Sequence, residues 1–320
     1  MNTLTKTENI IKNECFDAER ALYALRDTKV DSCTFRGEAD GESALKECRD
    51  ITVNNCEFSL RYPLWHAERF SLANSSMDTG ARAPIWYCSN GKIKNCSIDG
   101  TKFLRECHNI SVTETIVNSD EFGWKCANLD ISDSEINSAY CLFDSKNVSI
   151  SNLRMTGKYS FQYIDGLTIR DSHLDTKDAF WHSKNITVEN TTLKGEYLAW
   201  FSEGLTLKNC RIIGTQPFCY CKDLKLIDCT MEGTDLSFEY SDVEADVIGH
   251  IDSVKNIRSG YVRADSIGEI ISLESRVHGD HGIPGDWRKT VEKGGGMLYD
   301  WGVHMIDQQL WMLGYDVESV

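Results

Sequence analysis

Four stretches decide the fold: Gly166-Leu167-Thr168-Ile169-Arg170-Asp171, Asn185-Ile186-Thr187-Val188-Glu189-Asn190, Gly204-Leu205-Thr206-Leu207-Lys208-Asn209 and Asp223-Leu224-Lys225-Leu226-Ile227-Asp228. Each starts nineteen residues after the one before and holds an apolar–polar–apolar triplet between two turn-forming residues. Such alternation has the period of a β-strand. Taking the second apolar residue as an anchor, equivalent positions fall at Val30, Val53, Leu72, Ile93, Val112, Ile131, Ile150, Ile169, Val188, Leu207 and Leu226, and eight of the ten steps are nineteen residues. A fixed period of this kind means stacked coils.

The turn chemistry repeats with the anchors. Three residues before them stand Asp50, Asn90, Asn109, Asn128, Asn147, Gly166, Asn185, Gly204 and Asp223; two residues after them stand Asn55, Asn74, Asn95, Asp133, Asn152, Asp171, Asn190, Asn209 and Asp228. Asn, Asp and Gly tolerate left-handed backbone conformations, so each coil is expected to bend at two asparagine-like corners. Nineteen residues leave no room for the helix of a leucine-rich repeat. The expected fold is all-β: a single-stranded, right-handed parallel β-helix over residues 1–274, with a short helical tail at 275–320. Ile248-Gly249-His250-Ile251 and Ile267-Gly268-Glu269-Ile270 are expected to continue the nineteen-residue step.

Composition narrows the partners. A net charge of -15 argues against nucleic acid, an anionic membrane surface and polyanionic glycans, all of which need clustered Lys and Arg. Met1 to Arg20 has no apolar run of signal-peptide length, so the expected location is the cytoplasm. Of thirteen cysteines, Cys48, Cys88, Cys107, Cys126 and Cys221 sit five residues before an anchor, and Cys33, Cys56, Cys96, Cys210 and Cys229 three after one. Ala or Ser fills these columns in other coils, which reads as reduced core thiols held to a small size. A soft-metal site at Cys88, Cys107 and Cys126 is the alternative, but no CxxC or histidine pair accompanies it. No metal is expected.

Seven residues before the anchors stand Trp65, Trp86, Arg105, Trp124, Phe143, Gln162, Trp181 and Trp200, which places five of the eight tryptophans in one column. Strand parity against Leu64, Ile85 and Leu104 puts this column outside, whereas the thiol column two residues on argues for inside. The next column reads Glu47, His66, Tyr87, Glu106, Lys125, Asp144, Tyr163, His182, Phe201 and Tyr220. Flat rings beside hydrogen-bonding groups suit a sugar. The candidate ligand-binding residues are therefore Trp65, His66, Trp86, Tyr87, Trp124, Tyr163, Trp181, His182 and Trp200; the competing reading is structural stacking. Glu106 and Asp144, two coils apart, are a weak carboxylate pair for glycoside hydrolysis.

Glu19-Arg20-Ala21-Leu22-Tyr23, Gly41-Glu42-Ser43-Ala44-Leu45-Lys46-Glu47, Phe180-Trp181-His182, Ala199-Trp200-Phe201 and Ser266-Ile267-Gly268-Glu269-Ile270-Ile271 resemble a bacterial β-helical family known as domain of unknown function 3737. The resemblance runs from about Glu19 to Ile271 and implies the fold without an activity. The Asn-Thr-Asp and Gly-His-Gly motifs of pectin-degrading β-helix hydrolases are absent.

Beyond about Ser275, Trp287-Arg288, Gly294-Gly295-Gly296-Met297-Leu298-Tyr299-Asp300-Trp301-Gly302-Val303-His304-Met305-Ile306-Asp307-Gln308 and Leu313-Gly314 resemble the middle of the glucose–fructose oxidoreductase and inositol dehydrogenase family. That likeness implies Asp300 and His304, four apart on one helical face, as substrate-facing residues, the His in proton transfer. No Gly-x-Gly-x-x-Gly follows a strand and no Glu-Lys-Pro supplies the family's lysine, so no cofactor is expected and the tail reads as a remnant. The sequence thus points to a non-catalytic β-helix that binds a neutral carbohydrate or a protein partner through an aromatic strip. A carbohydrate-active enzyme or a sugar oxidoreductase fragment is the alternative.

Overall fold

The computed structural model describes residues 9–271. The chain divides into two compact units, residues 1–270 and 271–320, and the repeated coils make up the first. The tail expected at 275–320, with Asp300 and His304, lies outside the described residues.

The first unit is a parallel β-solenoid of about fourteen turns without helices among its described residues. Every anchor pairs in register with the next: Val30 with Val53, Val53 with Leu72, Ile93 with Val112, Ile131 with Ile150, Val188 with Leu207, Leu207 with Leu226. All are buried. Because side chains alternate along a strand, an in-register parallel stack sends the same column of every coil to the same face. The solenoid begins earlier than the motifs suggest, since Asn9–Lys12 already pairs with Arg26–Asp31 and puts Ile11 beside Val30.

Both expected corner columns are left-handed. Asn128 has φ 56 and Asn147 φ 52 in the first; Asn152 has φ 49 and Asn190 φ 50 in the second. Their amides also link vertically. Asn109 donates to Asn90 (2.9 Å), Asn128 to Asn109 (2.9 Å) and Asn147 to Asn128 (3.2 Å). In the other column Asn152 donates to Asp133 (2.7 Å) and Asn209 to Asn190 (2.9 Å).

Two bends per coil are not enough, however. The column six residues before the anchors is left-handed in every coil from Glu47 (φ 60) through His66 (56), Lys125 (52) and Phe201 (59) to Tyr220 (60). This resolves the parity conflict. Leu64 points inward, Trp65 and His66 both point outward because the chain reverses its twist at His66, and Ala67 returns to the core.

The thiol columns lie inside, and all the described cysteines except Cys15 are buried and free. Their role goes beyond small size. Cys126 Sγ accepts the backbone N–H of Cys107 at 3.4 Å, and in neighbouring coils Ser145 Oγ does the same for Cys126 (3.0 Å) and Ser241 Oγ for Cys221 (2.8 Å). The second column repeats this with Cys56 under Cys33, Ser75 under Cys56 and Ser134 under Thr115. Each column therefore supplies a small acceptor for an N–H that turns into the core at a corner, where an unmet donor would be costly.

The nineteen-residue step fails at the C-terminal end. A bulge between Leu226 and Cys229 breaks the register, and Ile251, not Ile248, pairs with Ile267. That pairing spans sixteen residues, so the terminal coils are shorter than their repeated Ile-Gly pattern implies. No helix among the described residues is long and apolar enough to cross a membrane.

Candidate functional site

The first part of the tryptophan column rides on a five-stranded parallel sheet made of Leu64–Trp65, Ile85–Trp86, Phe103–Arg105, Glu121–Trp124 and Tyr140–Cys141. Trp86 pairs with Trp65 and with Arg105, and Arg105 with Trp124. Trp181 and Trp200 sit in turns of later coils. All five indoles are half-buried on the outside of the coils.

Their faces are covered by one another. Trp65 and Trp86 lie 5.3 Å apart, the Arg105 guanidinium lies over Trp86 and Trp124 at 5.1 and 5.7 Å, Trp124 meets Phe143 at 5.1 Å, and Trp181 stacks on Trp200 at 5.4 Å with planes 8° apart. Their N–H groups are also used. Trp86 donates to the Lys102 carbonyl (2.9 Å), Trp124 to Tyr140 (3.1 Å), Trp181 to Tyr197 (2.7 Å) and Trp200 to Gln216 (2.9 Å), each acceptor lying on the following coil. The indoles tie successive corners together and present ring edges to solvent.

The neighbouring column is the exposed one. Tyr163, His182, Phe201, Tyr220 and Tyr240 stack without interruption over five coils, with centroid separations of 5.0, 5.0, 4.8 and 6.1 Å. Tyr163, Phe201 and Tyr240 are 49, 45 and 50% exposed and belong to one contiguous stack rather than standing singly. The left-handed backbone turns these rings outward beside the indoles. A shorter pair, His66 and Tyr87, stacks at 5.0 Å near the other end. Between the two segments the column carries Glu106, Lys125 and Asp144, so Lys125 stands between the two candidate carboxylates. Of the expected site, Tyr163 and His182 belong to the long ring column, His66 and Tyr87 to the short one, and the five tryptophans to the stack beneath. Phe201 and Tyr220, placed in this column by the sequence but not among its candidate binding residues, complete it together with Tyr240, which the spacing did not reach.

Two concavities lie elsewhere. An open furrow of about 790 Å³ follows the second corner column, lined by Glu114, Asp133, Glu135, Arg154, Asp171 and His173 among others. Its corner groups are already engaged, Asp133 by Asn152, Asp171 by Asn190 and Glu114 by Lys94. A smaller cleft of about 220 Å³ opens beside Ala139. No group of three or more His, Cys, Asp or Glu residues suited to a metal occurs among the described residues. Burial pushes the Cys88 and Cys126 thiols well up, while at Cys107 between them burial is outweighed by hydrogen bonds to both, which hold that thiol well down.

The architecture defines a parallel β-helix with two stacked aromatic segments on its outer face. A family model described as "Protein of unknown function (DUF3737)" matches residues 9–282, and the chain belongs to that family. A second model, the GFO/IDH/MocA C-terminal domain, matches residues 260–320. No curated protein matches the sequence.

Among solved structures, the chain is similar to PfbA, a surface adhesin of Streptococcus pneumoniae, at 8% identity and TM-score 0.48 over 79% of this chain and 83% of that one. It is also similar to the A-module of the Azotobacter vinelandii mannuronan C-5 epimerase AlgE4, at 10% identity and TM-score 0.33 over 84% and 89%. A third similarity is to the catalytic domain of a GH87 α-1,3-glucanase in complex with nigerose, at 9% identity and TM-score 0.32 over 83% and 64%.

Proposed function

We propose that the protein is a non-catalytic binding module for a neutral, extended glycan, which lies along the ring column Tyr163–His182–Phe201–Tyr220–Tyr240. One observation carries this reading: stacked rings recur once per coil over five coils, exposed at Tyr163, His182, Phe201 and Tyr240 and half-buried at Tyr220. A surface with a repeat of about 5 Å along one axis suits a linear polymer whose sugar units advance by a similar distance. The Tyr hydroxyls and the imidazole at the ring edges meet sugar hydroxyls, and the C–H edge of Phe201 meets an apolar sugar face. None of these five positions is Lys or Arg, and the net charge of -15 opposes an anionic chain.

The test is calorimetry with cellohexaose, xylohexaose and laminarihexaose on the full chain. Binding of at least one, lost in Tyr163→Ala/Phe201→Ala, is expected. Failure of all three, together with dimerisation in solution that the same double variant abolishes, would assign the rings to a protein contact instead.

A further inference from the structure

Two charged side chains are buried among the described residues, Asp31 and Asp178. Asp31 is fully engaged, by Lys12 at 3.2 Å and by the amides of Asn54 and Asn55 at 3.2 and 3.1 Å. Asp178, 7% exposed, has no side-chain hydrogen bond and no ion pair among the described residues. Buried polar groups are nearly always partnered, so an unmet carboxylate here has a reason to be sought. It is not sealed off, because the fully enclosed side-chain atoms without a partner among the described residues are Arg61 Nε and Thr234 Oγ1.

The backbone does not demand an acid at this position. Asp178 is left-handed (φ 52), but Tyr197 and Gln216, its counterparts in the next two coils, are left-handed as well (φ 57 and 48). Tyr140, Tyr159 and Tyr197 fill the same column with rings, and Asp178 interrupts it. Gln162 interrupts the tryptophan column in the coil before, and its Nε2 donates to the Asp178 carbonyl at 2.9 Å. Two aromatic columns thus step down to short polar side chains at one place, beside Tyr163, the first ring of the long column. Tyr159 stacks on Tyr140 at 5.0 Å and Tyr197 stands edge-on to Trp200 at 5.5 Å, so the rings on either side of Asp178 are held two coils apart, about 9–10 Å.

The nearby cations are committed elsewhere. Lys177 meets Glu196 at 3.5 Å, and the Lys158 ammonium lies over the Tyr159 ring at 4.5 Å. Burial pushes the Asp178 carboxyl above its ordinary value despite both lysines. What the carboxylate lacks is a close donor.

We propose that Asp178 is a specificity-determining residue of the glycan surface, whose carboxylate accepts two adjacent hydroxyls of a neutral sugar unit lying over Gln162 between Tyr159 and Tyr197. The inference rests on the glycan reading of the ring column and adds a lateral contact at its Tyr163 end. Carboxylates accept O–H groups strongly and can meet a vicinal pair with both oxygens. Lys158 and Lys177 repel a cationic ligand and the carboxylate itself an anionic one, which leaves neutral hydroxyl donors.

The experiment is amide NMR of the full chain titrated with cellohexaose, xylohexaose and laminarihexaose. At least one is expected to shift Gln162, Asp178 and Ala179 saturably, together with Phe201 and Tyr220 of the ring column. Its affinity should fall about tenfold in Asp178→Asn and stay unchanged in Asp130→Asn, a change at an exposed carboxylate in another column. Asp178→Asn should unfold in urea at the same or a higher midpoint, since it removes an uncompensated buried charge. Shifts confined to the ring column, or unchanged affinity in Asp178→Asn, overturn the inference and leave the ring column standing. Shifts at Gln162, Asp178 and Ala179 without the ring column support the inference and defeat the ring reading, whereas silence at all these amides overturns both. A lowered urea midpoint also overturns the inference, because the carboxylate would then be a structural group paired in solution with a neighbour such as Lys158.

Discussion

Cys126 Sγ accepts the backbone N–H of Cys107, 3.4 Å away in the preceding coil, and Ser145 Oγ repeats the contact for Cys126 at 3.0 Å. Sulfur and hydroxyl are thus interchangeable at a position where acceptance matters as much as size. Cys126→Ser is expected to change stability by less than about 1 kcal/mol. Cys126→Ala strands the Cys107 N–H and should cost about 1–3 kcal/mol, while Cys107→Leu overpacks the column and should cost about 1–3 kcal/mol. Urea unfolding measures all three; equal losses in the Ser and Ala variants would refute the acceptor role.

Burial raises the Cys48, Cys56 and Cys221 thiols from 9.0 to about 11. In the unfolded chain these groups lose their protons near pH 9, while the folded state holds them. The folded state therefore binds more protons between about pH 9 and 11, and stability must fall as pH rises through that window. The contribution is fully present below about pH 9. Chemical unfolding at pH 7, 9 and 10.5 should show this slope, and replacing Cys48 and Cys56 by Ser should flatten it. Under native conditions near pH 8, rapid thiol labelling among the described cysteines should be confined to exposed Cys15.

At Asn128, with φ 56, the amide both donates to Asn109 and accepts from Asn147. Asn128→Ala loses two hydrogen bonds and places a Cβ in a left-handed conformation, for an expected loss of about 2–3 kcal/mol. Asn128→Gly removes the bonds but not the conformational fit, and should recover about 1 kcal/mol of that. Gly166 and Gly204 already occupy this column in other coils. Thermal melts that ranked Ala above Gly would contradict the left-handed geometry.

Trp124 is held between Arg105 and Phe143 with its N–H on the Tyr140 carbonyl. Trp124→Ala is expected to cost about 2–4 kcal/mol through lost packing. Tyr163→Ala and Tyr240→Ala, at exposed rings, should each cost under about 1 kcal/mol. Glycan affinity should follow the second pair and barely change between low and moderate salt, because neutral contacts are weakly screened. A large salt dependence would point to an ionic ligand.

The anchors and the corner columns were legible because their residue types announce their conformations: branched aliphatics for strands, Asn, Asp and Gly for left-handed turns. The column containing His66, Lys125 and Phe201 was not, since nothing in Glu, His, Lys or Phe signals a positive φ. That missed bend is why parity and the thiol column gave opposite orientations for Trp65 and Trp124. It also concealed the distinction between half-buried indoles and the rings beside them, so Phe201 and Tyr220 were read in the column but not as binding residues, and Tyr240 was not placed. The shortened C-terminal coils were hidden by two Ile-Gly segments that match in sequence but not in register.

In-register stacking also governs how the molecule comes apart. Each coil touches chiefly the coil on either side, so the solenoid behaves as a linear chain of coupled units rather than as one core. A lesion in a middle coil, such as that of Asn128, weakens two interfaces and divides the stack into two shorter segments that can unzip separately. The same lesion in the first coil weakens one interface and merely frays an end. Melting curves of this protein should therefore report where a substitution lies as well as what it removes, with central changes broadening the transition and terminal ones leaving it sharp.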